Sequence, residues 1–308
     1  MGSVYLAHDL EADRAVAVKV LSVDADESAN IVERFRRESR AAGSIDSPHV
    51  AQIFDAGTDD RRPFLVMEYL EGEDLSRLFK RLQHLPPRLA LRVVGQACAG
   101  LAKAHEVGVV HRDIKPANLF LARGERGMIT VKVLDFGVAK VLPLWARRDV
   151  APEILTRTGA VLGSPLYMAP EQARGAKAVD HRADVWSIGV VLYQALAGAA
   201  PNHEIEAIGE LIVTICTQAP RPVHEVAPWI SPSVAAIVTQ ALRLDPRERF
   251  QTAGAMLDAI RAELGDEPWL HESQLVRLSE EERANPYGGP EQIPSTVRDP
   301  TGDVTIVR

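Results

Sequence analysis

Apolar residues alternate with polar or small ones through the first third of the chain, then recur every three to four positions. Alternation points opposite side chains to opposite faces of a strand, whereas the longer period builds one stripe along a helix. Residues 3–7 and 15–21 therefore read as strands, with the polar run Asp9-Leu-Glu-Ala-Asp-Arg14 turning between them. Residues 28–42 place Ile31, Val32, Phe35 and Ala42 at helical spacing among charges, which predicts a surface helix with one apolar stripe. Strands are expected again at 50–56 and 64–67. Past Gly72 the period lengthens. Residues 86–106 open on proline and set Leu89, Val93, Ala97, Leu101 and Ala104 on one face. Two short strand-like pieces, at 119–121 and 131–134, precede helices at 183–197, 205–216, 233–242 and 253–264. A small strand-rich unit thus leads into a larger helix-rich one, joined near residues 68–72. From Gly265 prolines, glycines and charges displace the periodic pattern, and residues 280–308 are expected to be loosely attached.

Composition narrows the function classes. The 308 residues are 46% hydrophobic and 25% charged, with net charge −7 and no dominant basic stripe. Nucleic acid and anionic membranes are disfavoured as partners. The apolar run at 185–197 is interrupted by Gln194 and reads as a buried core helix, so no membrane span is expected. Cys98 and Cys216 lie far apart in apolar helical patterns, without disulfide or metal-ligand spacing, which fits a reducing, cytoplasmic location.

Three short strings occur in a fixed order: Val16-Ala-Val-Lys19, His111-Arg-Asp-Ile-Lys-Pro-Ala-Asn118 and Asp135-Phe-Gly137. Each alone is weak, since a lysine in a strand is commonly a solvated edge residue and an Asp five residues before an Asn is ordinary loop chemistry. Their order and spacing, with Met168-Ala-Pro-Glu171 and Asp184-Val-Trp-Ser-Ile-Gly189 downstream, make coincidence untenable. From Gly2 to Leu264 the chain resembles the protein kinase family, specifically the bacterial eukaryotic-like (Hanks-type) serine/threonine kinases.

The resemblance implies an α+β, two-lobed kinase fold: a small antiparallel-sheet N-lobe over residues 1–70, incomplete at its start, a helical C-lobe over 71–264 and a flexible tail over 265–308. It implies a transferase that moves the γ-phosphoryl group of ATP, with Mg²⁺, to Ser or Thr hydroxyls of protein substrates in signal transduction. Such a reaction needs phosphates, cation and acceptor held in line and their charge neutralised. By this carry-over Lys19 meets the α/β-phosphates and pairs with a helix glutamate, Glu38 being favoured over Glu33. Asp113 takes or orients the hydroxyl proton, Lys115 marks the Ser/Thr class, and Asn118 and Asp135 hold the metal. Gly2, Val4 and Ala17 would roof the nucleotide and Phe120 would floor it, with Met67 as gatekeeper and the Glu68 and Leu70 backbone at the purine edge. Phe120 and Met67 would be core residues as well. Thr156 and Thr158 are expected as phosphosites, modified in trans through self-association, with an arginine answering the added charge. Ser164 would contact the catalytic Asp113, Glu171 would pair with Arg249, and Asp184 would cap the catalytic loop.

Gly2-Ser3-Val4 matches just the last glycine and the valine of the family's phosphate loop, Gly-x-Gly-x-x-Gly-x-Val. A start methionine internal to a longer protein is the favoured expectation, ahead of a fragment or of a short protein with impaired nucleotide binding. The alternative function is a pseudokinase-like scaffold that presents its large lobe without turnover.

Overall fold

The computed structural model describes residues 2–21, 28–59, 62–136, 165–176, 178–265 and 269–284. Four strands, β1 (Gly2–Asp9), β2 (Arg14–Leu21), β3 (Ile53–Asp59) and β4 (Arg62–Glu68), form an antiparallel sheet in the order β1-β2-β4-β3. Helix α1 (Ser28–Gly43) crosses β3 and β4 and buries Phe35 against Leu21 and Leu65. Pairing register fixes what shares that face. Val4 lies opposite Lys19, and Leu6 opposite Ala17. Lys19 in turn meets Leu65, and Ala17 meets Met67. Since alternate residues of a strand share a face, Val4, Ala17, Lys19 and Met67 all look to the side on which α1 packs.

The larger lobe begins with β5 (Gly72–Asp74) and α2 (Leu75–Leu82) and is centred on α3 (Pro87–Glu106) and α5 (Arg182–Ala197). β5, β6 (Leu119–Arg123) and β7 (Met128–Val133) make a second antiparallel sheet, completed by β8 (Leu270–His271). The remaining helices are α4 (Pro170–Ala173), α6 (Ile208–Thr217), α7 (Val223–Val226), α8 (Pro232–Ala241), α9 (Ala253–Leu264) and α10 (Glu280–Ala284). Helix α5 is apolar nearly all round and is buried along almost its whole length, as such a helix must be.

Two glycines let backbone approach backbone. A Cβ on Gly72, at φ +144°, would stand 2.0 Å from the Leu121 carbonyl oxygen, and one on Gly100 of α3 would stand 2.5 Å from that of His49. The second approach seats the 49–51 loop on the larger lobe. There Val133 N–H donates to the His49 carbonyl at 2.9 Å, Ala51 N–H donates to the Val133 carbonyl at 3.0 Å, and His49 Nδ1 lies 3.0 Å from the Val131 carbonyl. The small lobe is thereby stitched to β7 as well as being joined to the larger lobe through residues 68–72.

The elements expected from periodicity are present, with ends shifted by a few residues; the helix expected at 205–216 runs Ile208–Thr217. Six of these elements go beyond expectation: β5, α2, α4, α7, β8 and α10. The stretch expected as a flexible tail is ordered in part. Leu270 is fully buried, β8 pairs with β7, and the Arg277 guanidinium donates to the Arg81 carbonyl at 2.7 and 3.0 Å. Among the described residues no helix is long and apolar enough to cross a membrane. Both cysteines are free, and burial pushes the Cys98 thiol up to about 12.

Candidate active site

The loop between α3 and β6 is shaped by one carboxylate. Asp184, at the N-terminal end of α5 and with no exposed surface, accepts from His111 N–H at 2.8 Å and from Arg112 N–H at 2.7 Å. Its Oδ2 also lies 2.8 Å from His105 Nε2, and since a carboxylate can only accept, the histidine nitrogen donates. Burial is the largest influence on Asp184 and opposes its charge. The His105 hydrogen bond, the fields of His111 and His105 and the Arg112 N–H outweigh burial, so its pKa lies below the ordinary carboxylate value. The expectation that Asp184 caps this loop is met.

His111 extends the scaffold. Its Nε2 donates to the Leu134 carbonyl at 2.7 Å and its Nδ1 accepts from Asp113 N–H at 3.2 Å, which fixes the tautomer. Its ring meets Phe136 edge-on at 4.8 Å between centroids. The loop thus carries its neighbours on the 134–136 segment with it.

Asp113, Lys115 and Asn118 converge on this support. Lys115 Nζ lies 2.7 Å from Asp113 Oδ2, with both side chains largely covered. Asn118 Nδ2 donates to the Asp113 carbonyl at 2.7 Å and to its Oδ2 at 3.2 Å. Leu134 N–H donates to the Asn118 carbonyl, tying the loop to the strand end that carries Asp135. Asp135 takes a left-handed backbone, φ +61°, and its Oδ1 is 2.6 Å from Lys19 Nζ. Left-handed backbone is uncommon for residues other than glycine and tends to sit where local geometry is dictated by function. Lys19 of the small lobe and Asp135 of the large lobe therefore meet across the cleft.

The donor set suits a hard cation. The Asn118 amide nitrogen is spent on Asp113, which leaves its oxygen as the acceptor, and Asp135 supplies a carboxylate. Two protein ligands fit Mg²⁺, which keeps waters and substrate phosphates in its shell. Among the described residues no cluster of three or more His, Cys, Asp and Glu converges as a self-contained metal site.

The remaining expected residues fall as follows. Ala17, Met67, Leu70 and Phe120 are half-buried and Val4 is 61% exposed, while Gly2 begins β1. The Glu68 N–H is committed to the Gln52 carbonyl at 2.9 Å, so a purine could use its carbonyl and not its N–H. Glu38 is half-buried and follows Phe35 by three residues, on the side of α1 that meets the sheet. The ion partner shown for Lys19 is Asp135. Gly137, Thr156, Thr158 and Ser164 lie outside the described residues. Glu171 and Arg249 form the expected pair, bidentate at 2.8 Å in both bonds, with the Arg249 side chain fully buried.

Sequence reasoning passed over two contributors. Lys132 Nζ lies 2.7 Å from Glu68 Oε1, which also accepts from Gln52 N–H at 2.8 Å. Its sequence signal is a lysine on the exposed phase of an alternating strand, which any solvated strand carries. Gln172 bridges α4 to the catalytic loop, and its signal is a position next to Met168-Ala-Pro-Glu171. A cavity of ≈ 500 Å³ over the second sheet, lined by Arg81, Arg123, His271 and Glu272 among others, includes none of the converging residues and lies apart from this chemistry.

Comparison with known proteins agrees with this geometry. Residues 1–260 match the protein kinase domain. The chain is 36% identical over 277 residues to the serine/threonine-protein kinase PknB of Mycolicibacterium smegmatis, covering 87% of this chain and 42% of that protein. It is 33% identical over 310 residues to PrkC of Bacillus subtilis, covering 100% and 46% respectively. The chain thus spans less than half the length of these curated relatives. Among solved structures, the Mycobacterium tuberculosis PknI kinase domain superposes with TM-score 0.66 at 25% identity, covering 86% of this chain and 91% of that one.

Proposed function

Because the chain belongs to the protein kinase domain family, we propose that it transfers the γ-phosphoryl group of ATP to Ser and Thr hydroxyls of protein substrates, its own activation segment included. The observation that carries this is the clamp of Asp184 on the 111–112 backbone, which brings Asp113, Lys115 and Asn118 to one point facing the Lys19–Asp135 pair.

The residues divide the reaction between them. Asp113 accepts the proton of the acceptor hydroxyl as the new O–P bond forms and ADP departs. Lys115, already against Asp113, neutralises charge on the transferring group. Lys19, which lies against Asp135, meets the α/β-phosphates and pairs with Glu38. Asn118 and Asp135 would hold Mg²⁺, which would neutralise charge on the phosphate oxygens. Gly2, Val4, Ala17 and Met67 enclose the nucleotide with Phe120 opposite, and the Glu68 carbonyl and Leu70 N–H read the purine edge. Thr156 and Thr158 are the proposed sites of modification in trans. Free cysteines accord with a reducing, cytoplasmic setting.

Mass-spectrometric mapping of phosphate after incubation with Mg-ATP tests the reading. The wild-type chain should acquire phosphate on Thr156 or Thr158, and Asp113→Asn should acquire none. Two folded but unmodified chains would sink the enzyme reading. Thermal stabilisation by Mg-ATP in that case would leave the scaffold.

A further inference from the structure

Arg112 stands one residue before the proposed base, with its backbone in the left-handed region at φ +65°. That conformation is strained for a non-glycine residue and persists where its surroundings over-determine it. Three contacts do so here. Asp184 takes the Arg112 N–H at 2.7 Å, and the Arg112 guanidinium reaches the Val179 carbonyl at 3.1 Å. The third is Gln172, whose Nε2 donates to the Arg112 carbonyl at 2.9 Å while its Oε1 accepts from Ala169 N–H at 3.1 Å.

The Gln172 contact differs in kind from the other two. The Arg112 carbonyl and the Asp113 N–H belong to one rigid peptide plane. Asp184 holds the preceding plane; Gln172 holds the plane that leads into Asp113, whose far edge rests on His111 Nδ1 at 3.2 Å. Released from Gln172, that plane can rotate, and rotation swings the Asp113 carboxylate. Gln172 also sits beside Glu171, which Arg249 anchors, so the amide transmits the placement of α4 to the catalytic loop.

We propose that Gln172 is a positioning residue for phosphoryl transfer, acting through the Arg112–Asp113 peptide. The inference rests on the reading of the site given above. The amide orientation is dictated at both ends: the Ala169 N–H requires the oxygen and the Arg112 carbonyl requires the nitrogen. Glutamate can still accept from Ala169 but, ionised, cannot donate to Arg112. Gln172→Glu therefore separates the bond that starts α4 from the bond that aims Asp113.

The test compares the wild-type chain with Gln172→Glu, by thermal unfolding, by kcat and KM with Mg-ATP and a Ser/Thr peptide, and by deuterium uptake over residues 109–118. Gln172→Glu should unfold close to wild type and keep its KM for Mg-ATP within about twofold. Its kcat should fall about 10- to 100-fold, as misplacement of a reacting group by a fraction of an ångström to an ångström costs. Exchange over 109–118 should be faster. Wild-type kcat and exchange in Gln172→Glu would overturn the proposal. Where that variant does not fold, Gln172→Met, which removes both bonds, is read in the same way, and failure of both to fold assigns Gln172 a structural role instead. A wild-type chain that transfers no phosphate defeats the kinase reading, while the exchange comparison still decides whether Gln172 holds the loop.

Discussion

At the scale of the residue, the site is organised by a buried carboxylate that touches no substrate. Asp184 collects three donors and has no exposed surface, so its charge is compensated by hydrogen bonds and not by solvent. Its pKa is depressed on folding, so its contribution to stability is fully present above the ordinary value of 3.8 and is lost as pH falls through the lower folded value. Asp184→Asn keeps one acceptor oxygen, strands a buried donor and should cost about 1–3 kcal/mol at neutral pH. The difference between wild type and variant should shrink as pH drops below the carboxylate range. Urea unfolding at a series of pH values measures both, and a pH-independent difference would mean that Asp184 is not ionised in the folded chain. Asp113, Asn118 and Asp135 were legible in the sequence because family spacing survives in their strings. Lys132 and Gln172 were not, because each acts through a partner 64 or 60 residues away.

At the scale of the element, legibility followed length. Helices α3, α5 and α9 carry sustained periods and were placed to within a residue or two, whereas β5 and β8 have three and two residues and exist through pairing with β6 and β7. Helix α2 did carry a signal: Asp74 caps it, and Leu75, Leu78, Phe79 and Leu82 are spaced as one face. The connection at residues 68–72 holds a fastening that alternation does not reveal. Lys132 of β7 grips Glu68 at the end of β4, with the two side chains 16% and 21% exposed, and Glu68 also takes the Gln52 N–H. The clamp fixes the peptide whose carbonyl is proposed to meet the purine. Lys132→Ala should raise KM for Mg-ATP several-fold, on the order of 1 kcal/mol for a half-buried charge-assisted bond, with kcat little changed. Steady-state kinetics on a fixed peptide would show it, and an unchanged KM would mean that the hinge is held by its backbone alone.

At the scale of the whole molecule, two seams outside the converging residues brace the strand that leads to Asp135. One joins the lobes where the 49–51 loop lies along Val133, so Lys19 and Asp135 meet across a cleft closed at its back. The other is the segment after α9. Glycine, proline and charge gave it the composition of a tail, and nothing local in it demanded order. Its order comes from outside: β7 offers an edge, Leu270 fills the core beneath, Leu278 is 6% exposed, and Arg277 caps the Arg81 carbonyl at the end of α2. Because β7 runs directly into Leu134 and Asp135, whatever steadies its far edge steadies the strand that delivers the proposed metal ligand. Leu270→Ala removes a fully buried side chain and should cost about 2–5 kcal/mol, a fall of roughly 5–15 °C in Tm for a domain of this size. Val276→Ala, at a position 55% exposed in the same segment, should leave Tm within about a degree or two. Differential scanning of the two variants decides the matter: equal and small shifts would return residues 269–284 to the status of a tail, whereas a large shift confined to Leu270→Ala makes them part of the catalytic lobe.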